Sequence, residues 1–336
     1  MRAGFINSTG APDILQVGDL ATPEPGPGEV RVRIQFAALN HLDLWIRKGI
    51  PGQRLKFPHI LGADGAGIVD KVGKGAKSSV GREVVIYPGL SCGACPECRT
   101  GLESLCPQYK ILGEQVGGTN AEFLVLPEAN IFEKPQALSF EDAAALPLVF
   151  ITAWEMVAVK ARVTKGQRVL IHGAGSGVST AAIQIAKHLG AEVIATSSHE
   201  EKLSLAKELG ADVLVNTATS DFTTVSKKVD AIIDHVGGVF WERNIRCLKS
   251  GGTLVSCGAT SGWDAKTDLR HLFFRQLKLL GSTMGSRRDF PEILRLASEK
   301  KFHAVIDKVF PLAELSEAHR HLEAGRQFGK VLISFN

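Results

Sequence analysis

Val30, Val32, Ile34 and Phe36 alternate with Arg31, Arg33 and Gln35, the period-two signature of a strand with one buried face. A turn-rich stretch, ATPEPGPGE, leads into it, and GADGAGIVDKVGKG and VGREVVIYPG add short apolar runs separated by glycines. No helical period interrupts them up to about Phe123, which predicts an all-β, barrel-like region. From about Glu128 the period changes. FEDAAALPLVFITAWEMV reads as helical, with a break near Pro147, where a ring replaces the backbone N–H.

Val169, Leu170 and Ile171 form a short apolar run that closes on Gly173, Gly175 and Gly177, as expected of a strand buried on both faces. Val178, Ala181, Ala182, Ile185, Ala186 and Leu189 then recur at helical spacing up to Gly190, and residues 193–195 open another strand. Strand, glycine turn, helix and strand make a βαβ unit with a right-handed crossover. The pattern repeats: a helix over 202–209, strands at 213–215 and 230–236, a helix over 239–248 and a strand at 253–257. After Trp263 the chain leaves this region, and FGKVLISF has the pattern to rejoin the β region.

A chain of 336 residues fits two domains. The expected fold is α/β: residues 125–270 form a doubly wound parallel sheet, and residues 1–124 with 271–336 form the β domain. Net charge is +4, from 39 basic and 35 acidic side chains, too small and too scattered to indicate nucleic acid or an anionic membrane. The first residues hold no apolar signal core, and no stretch of about eighteen uninterrupted apolar residues occurs. A cytoplasmic protein acting on a small molecule is the expectation.

The glycine turn is suited to an anion, because backbone N–H groups and the positive end of the next helix face it. Gly173, Gly175, Ser176, Gly177 and Val178 are therefore expected to hold a dinucleotide. Its identity is read at the end of the second strand, where an acid binds ribose hydroxyls and hydroxyls with cations bind a 2′-phosphate. Here stand Thr196, Ser197, Ser198 and His199, with Lys202 one turn into the next helix. NADP(H) is the expected cofactor. Glu200 and Glu201 fit the first turn of that helix, where acids favour the dipole.

Cys92, Cys95, Cys98 and Cys106 give C-x2-C-x2-C-x7-C in a loop spanning about residues 90–108. Four thiolates at this spacing wrap one tetrahedral Zn²⁺, and a closed shell of four is a structural site. Cys247 and Cys257 fall in a predicted helix and strand, as core residues.

The chain resembles the medium-chain dehydrogenase/reductase superfamily, which includes zinc alcohol dehydrogenases and quinone oxidoreductases. PEPGPGEVRVRI, LGADGAGIVDKVG, the cysteine lobe, the glycine turn and the final GKVLI carry the likeness across essentially the whole chain. Ser179 stands where the family's turn usually has a glycine. The resemblance implies a GroES-like catalytic domain beside a Rossmann domain. It adds Val236, Gly237, Gly258 and Ala259 to the cofactor loops, puts Phe273 and Phe274 near the nicotinamide or a subunit contact, and implies a homodimer or homotetramer paired through the strand around Leu277 to Leu280.

The resemblance also shows where the chain departs. Zinc alcohol dehydrogenases hold a second, catalytic zinc through a cysteine followed by a Ser or Thr relay, a histidine in GHE and a further cysteine. Here the matching positions are Asn40 with Leu42, then Ala63 in Gly62–Asp64, then Val149 or Phe150. Three ligands and the relay are missing. LNHLDLWIRKG instead resembles the quinone-oxidoreductase branch. The implied reaction is hydride transfer from NADPH to a quinone or an α,β-unsaturated carbonyl without a catalytic zinc. Asn40 would donate to the acceptor oxygen, His41 relay a proton and Asp43 orient the loop, with Tyr87 and Thr152 facing cofactor or substrate. Two alternatives remain: an alcohol dehydrogenase with atypical metal ligands such as His41, His59 or Asp64, and a dinucleotide-binding protein that catalyses nothing.

Overall fold

The computed structural model describes residues 1–226 and 228–335, which divide into two compact units: residues 1–148 with 286–335, and residues 149–226 with 228–285. Among the described residues no helix is long and apolar enough to cross a membrane.

The first unit begins with β1 (Arg2–Ile6), β2 (Gln16–Asp19), β3 (Glu29–Leu39), helix α1 (His41–Lys48), β4 (His59–Ile60), β5 (Asp64–Val72) and β6 (Glu83–Ile86). The cysteine lobe follows, with β7 (Gly89–Leu90), α2 (Pro96–Thr100) and β8 (Lys110–Ile111). Then come β9 (Phe123–Pro127), β10 (Ile131–Glu133) and α3 (Phe140–Ala145). The alternation in β3 does what its sequence predicts: Val30, Val32 and Ile34 enter the core while Arg31 and Arg33 stay out of it. Arg31 is held instead by Asp70, 2.6 Å away, and by Glu24.

Helix α4 (Pro147–Trp154) starts at the expected proline break and continues into a π-helical turn, Glu155–Lys160. The second unit then runs β11 (Arg168–Ile171), α5 (Gly177–His188), β12 (Glu192–Ser197), α6 (Glu200–Glu208), β13 (Val213–Asn216), α7 (Phe222–Val225), β14 (Val229–Asp234), α8 (Trp241–Cys247), β15 (Leu248–Ser256), α9 (Leu269–Phe274) and β16 (Lys278–Gly281). Its six strands are parallel, in the order β13-β12-β11-β14-β15-β16. The order reverses between β11 and β14, and that switch point is where a doubly wound sheet opens a ligand crevice.

The chain then returns to the first unit with α10 (Phe290–Ser298), β17 (Ile306–Pro311), α11 (Leu315–Glu323) and β18 (Lys330–Ser334). The amino half of β3 pairs with β9, and its carboxyl half pairs antiparallel with β18, Leu39 opposite Val331. β18 thereby links β17 to β3 within a seven-stranded sheet.

The unit borders differ from those expected. The first falls at 148/149 rather than 124/125, because α3 packs on β3, β5 and β18 of the barrel. The second falls at 285/286 rather than 270/271, because β16 adds to the parallel sheet beside β15. Residues 264–285 carry no strong period, so their place in that sheet was not legible from pattern alone.

Candidate functional site

Asn40 directly follows β3, caps α1 and is buried. Its backbone N–H donates to Asp43 Oδ2 at 2.7 Å, and Gly62 N donates to Asp43 Oδ1 at 2.8 Å. Burial pushes the Asp43 carboxyl up to about 6, against the opposing pull of those two donors. The Asn40 side chain donates from Nδ2 to Asp64 Oδ2 at 2.9 Å and to Ala38 O at 3.4 Å, while its Oδ1 accepts from Lys330 Nζ. Lys330 also reaches Asp64 Oδ2 at 2.9 Å, and Asp64 Oδ1 accepts from Leu148 N at 2.8 Å. Lys330 is 3% exposed and Asp64 0%, so a buried ammonium, a carboxylate and an amide satisfy one another.

Asp43 ties together the β3–α1 junction and Gly62, and Lys330 supplies a cation for Asp64. The expected part for Asn40 is altered: its amide is spent within the protein and has no donor left for a ligand. His41 stands half-buried at the head of α1. Tyr87 lies in the core, 1% exposed, with ring centroids 6.4 Å from Phe132 and 5.9 Å from Phe290. Burial there raises its phenol pKa. Thr152 is buried in α4 and belongs to the second unit. His59 turns Nε2 to Gly113 O at 2.9 Å, so it does not join His41 and Asp64 as a ligand set.

In the second unit the expected cofactor residues gather at the carboxyl ends of β11, β12, β14 and β15. Gly173 takes φ +64°, a left-handed conformation that favours glycine. A Cβ on Gly175 would stand 2.5 Å from Lys202 Cδ, so the lysine lies across the turn. Ser176 caps α5 by accepting from Ser179 N at 3.1 Å, and the first N–H groups of α5 lack partners within the helix. These features fit a diphosphate. Ser197 Oγ accepts from His199 N at 3.1 Å, Ser198 is exposed, and Glu200 is tied to Asn216. Val236 N and Gly237 N both donate to Asp234 Oδ1, and Ser261 N to Val236 O at 2.9 Å, which interlocks the loops carrying Gly237, Gly258 and Ala259.

Sequence reasoning missed the residue beneath these loops. His172 is buried between Thr196 and Asn244, at 2.9 Å and 2.7 Å, and stacks on Phe240. Asn244 Nδ2 donates to Asp234, so Asn244 Oδ1 accepts from His172 Nε2–H and Nδ1 accepts from Thr196. Burial lowers the imidazole pKa to about 4, leaving it neutral. The chain Thr196–His172–Asn244–Asp234 ties the ends of β11, β12 and β14 together. Its only sequence signal was a histidine directly before the glycine turn.

The four lobe cysteines place their sulfurs within 4.8 Å of one another. Zinc–thiolate bonds of about 2.3 Å at tetrahedral angles require sulfurs roughly 3.8 Å apart, and Cys92 and Cys98 are 3.9 Å apart. Backbone N–H groups of Ala94, Cys95 and Gln108 point at the sulfurs of Cys92 and Cys106, as thiolate ligands require. The site fits one structural zinc. Among the described residues it is the one such convergence of His, Cys, Asp or Glu. Phe273 and Phe274 are exposed and touch one another, with centroids 4.4 Å apart.

Comparison with known proteins bears on the whole chain. Residues 26–136 match the alcohol dehydrogenase GroES-like domain family, and residues 177–299 match the zinc-binding dehydrogenase family. The chain belongs to the medium-chain dehydrogenase/reductase superfamily. It is 32% identical to an NAD-dependent alcohol dehydrogenase of Sulfolobus acidocaldarius, over 99% of both chains. It is 29% identical to an acryloyl-coenzyme A reductase of Sulfurisphaera tokodaii, over 94% of this chain and 95% of that one. A crystal structure of an NAD-dependent alcohol dehydrogenase superposes with a TM-score of 0.96, at 50% identity and with full coverage of both chains. This member of the superfamily is an oxidoreductase with a GroES-like domain and a Rossmann domain.

Proposed function

We propose that the protein passes hydride from NADPH to a quinone or to the β-carbon of an α,β-unsaturated carbonyl compound, without a catalytic zinc. One observation carries the reading. Where zinc alcohol dehydrogenases have a thiolate and an imidazole, this chain has Asn40 and Ala63, and the Lys330 ammonium already neutralises Asp64. A divalent ion beside that ammonium would meet like charge at short range.

A bound reduced nicotinamide supplies the hydride. The chain's residues hold the cofactor and manage the proton: the glycine turn cradles the diphosphate, and Ser197, Ser198 and Lys202 favour a 2′-phosphate over free ribose hydroxyls. An electron-poor acceptor spreads the arriving charge onto its carbonyl oxygen, where one donor suffices. His41, at the positive end of α1, is that donor and returns a proton to the oxygen. Strand β16, last in its sheet, pairs with a second copy to form a homodimer.

Initial rates with NADPH and NADH against quinones, enones, acryloyl-type thioesters and alcohols test the reading. NADPH oxidation by the electron-poor acceptors, with one zinc per chain, is expected. Alcohol oxidation requiring a second metal equivalent would sink it. A second reading, NAD-dependent alcohol oxidation, draws support from the relative of that name at 50% identity, and the same panel separates the two.

A further inference from the structure

Two hydroxyls on the first turn of α5 meet one imidazole from the loop after β14. His235 Nε2 lies 2.8 Å from Ser176 Oγ and 2.9 Å from Ser179 Oγ, and a Cβ on Gly173 would stand 2.9 Å from His235 Cε1. The imidazole therefore lies over the first glycine, across the switch point between β11 and β14.

Hydrogen accounting fixes the direction of these contacts. Ser179 Oγ spends its hydrogen on His172 O at 2.6 Å, so towards His235 it can only accept. Ser176 Oγ accepts from Ser179 N and has its own hydrogen for Ser179 Oγ, 3.0 Å away. Every contact is satisfied when His235 Nε2 carries a hydrogen shared between the two oxygens. A neutral hydroxyl is a weaker acceptor than an anionic phosphate oxygen. Ser179, the side chain where related turns have glycine, is thus a resting place for a donor rather than a defect in the turn.

We infer that His235 is a diphosphate-binding residue: its Nε2–H rests on Ser176 and Ser179 and transfers to a phosphate oxygen of the dinucleotide at the glycine turn. This rests on the proposed dinucleotide site and deepens it.

Titration of the purified dimeric or monomeric protein with NADPH, ADP-ribose and adenosine 2′-monophosphate tests the inference, using wild type, His235→Phe and His235→Gln. Phenylalanine keeps a ring over Gly173 and removes the donor; glutamine restores a donor. Expected is a loss of about tenfold in affinity for NADPH and ADP-ribose in the Phe variant, one charge-assisted hydrogen bond's worth. Recovery in the Gln variant and unchanged binding of the monophosphate are expected alongside. Equal loss for the monophosphate, or a Phe variant with unchanged NADPH affinity, would overturn it. Thermal melting of each variant identifies one that fails to fold, and the Gln variant then decides. Wild type that binds none of the three would instead refute the dinucleotide site itself.

Discussion

Lys330 Nζ lies 2.9 Å from Asp64 Oδ2, although the two residues are 266 positions apart in the chain, and both side chains are buried. The pair joins the last strand of the first unit to the start of β5. Its partners Asn40 and Leu148 N extend the join to α1 and α4. Removing one member strands the other as a buried charge. Lys330→Met should cost about 3–5 kcal/mol of unfolding free energy, measured by urea denaturation, and Lys330→Arg should recover part of it. A loss below about 1 kcal/mol, the size of an exposed pair, would mean that Asp64 finds another partner.

Acid should weaken the protein through its buried histidines. His319 has neither ring nitrogen hydrogen-bonded among the described residues, and burial, aided by Arg47, lowers its pKa to about 3. His172 is lowered to about 4. The unfolded chain takes up both protons near pH 6.5 and the folded chain does not, so stability falls as pH drops from about 6.5 towards 4. Asp43, raised to about 6, opposes this by binding its proton in the folded state over the same range. The histidine contribution is therefore read by removing one of them. His319→Leu, which breaks no hydrogen bond, should flatten the fall in stability measured between pH 7 and pH 5; a variant as acid-sensitive as wild type would contradict the assignment.

The zinc lobe should behave as a closed structural site. Metal analysis is expected to give one zinc per chain, and Cys106→Ala, which removes the buried ligand, should abolish it and lower the melting temperature. Full zinc retention in that variant would argue for a different ligand set.

Cofactor choice should turn on the end of β12. Ser197→Asp puts a carboxylate where ribose hydroxyls would bind, and the NADPH/NADH ratio of kcat/KM should fall at least tenfold. An unchanged ratio would move the 2′-phosphate away from Ser197 and Lys202.

What pattern could reveal here was whatever is local. The alternation in β3, the cysteine spacing and the glycine turn each lie within some forty residues, and each marks its element. Lys330 lies within GKVLI as one more strand residue, and nothing nearby marks it as the partner of Asp64. His172 and His235 read as isolated histidines, because the hydroxyls and amides that give them meaning come from other strands. Asn40 misled for a related reason. Its position suggested an open donor, but Asp64 takes that donor and the cation on its Oδ1 sits at the far end of the chain.

The second unit is contiguous from residue 149 to residue 285, whereas β3 waits for β18. During synthesis the parallel sheet can therefore be complete on the ribosome while the carboxyl half of β3 still has an unclaimed edge, and the first-made strands are the last to be sealed. Protection of that nascent edge, rather than assembly of the nucleotide fold, is then the step at which a chaperone would matter most.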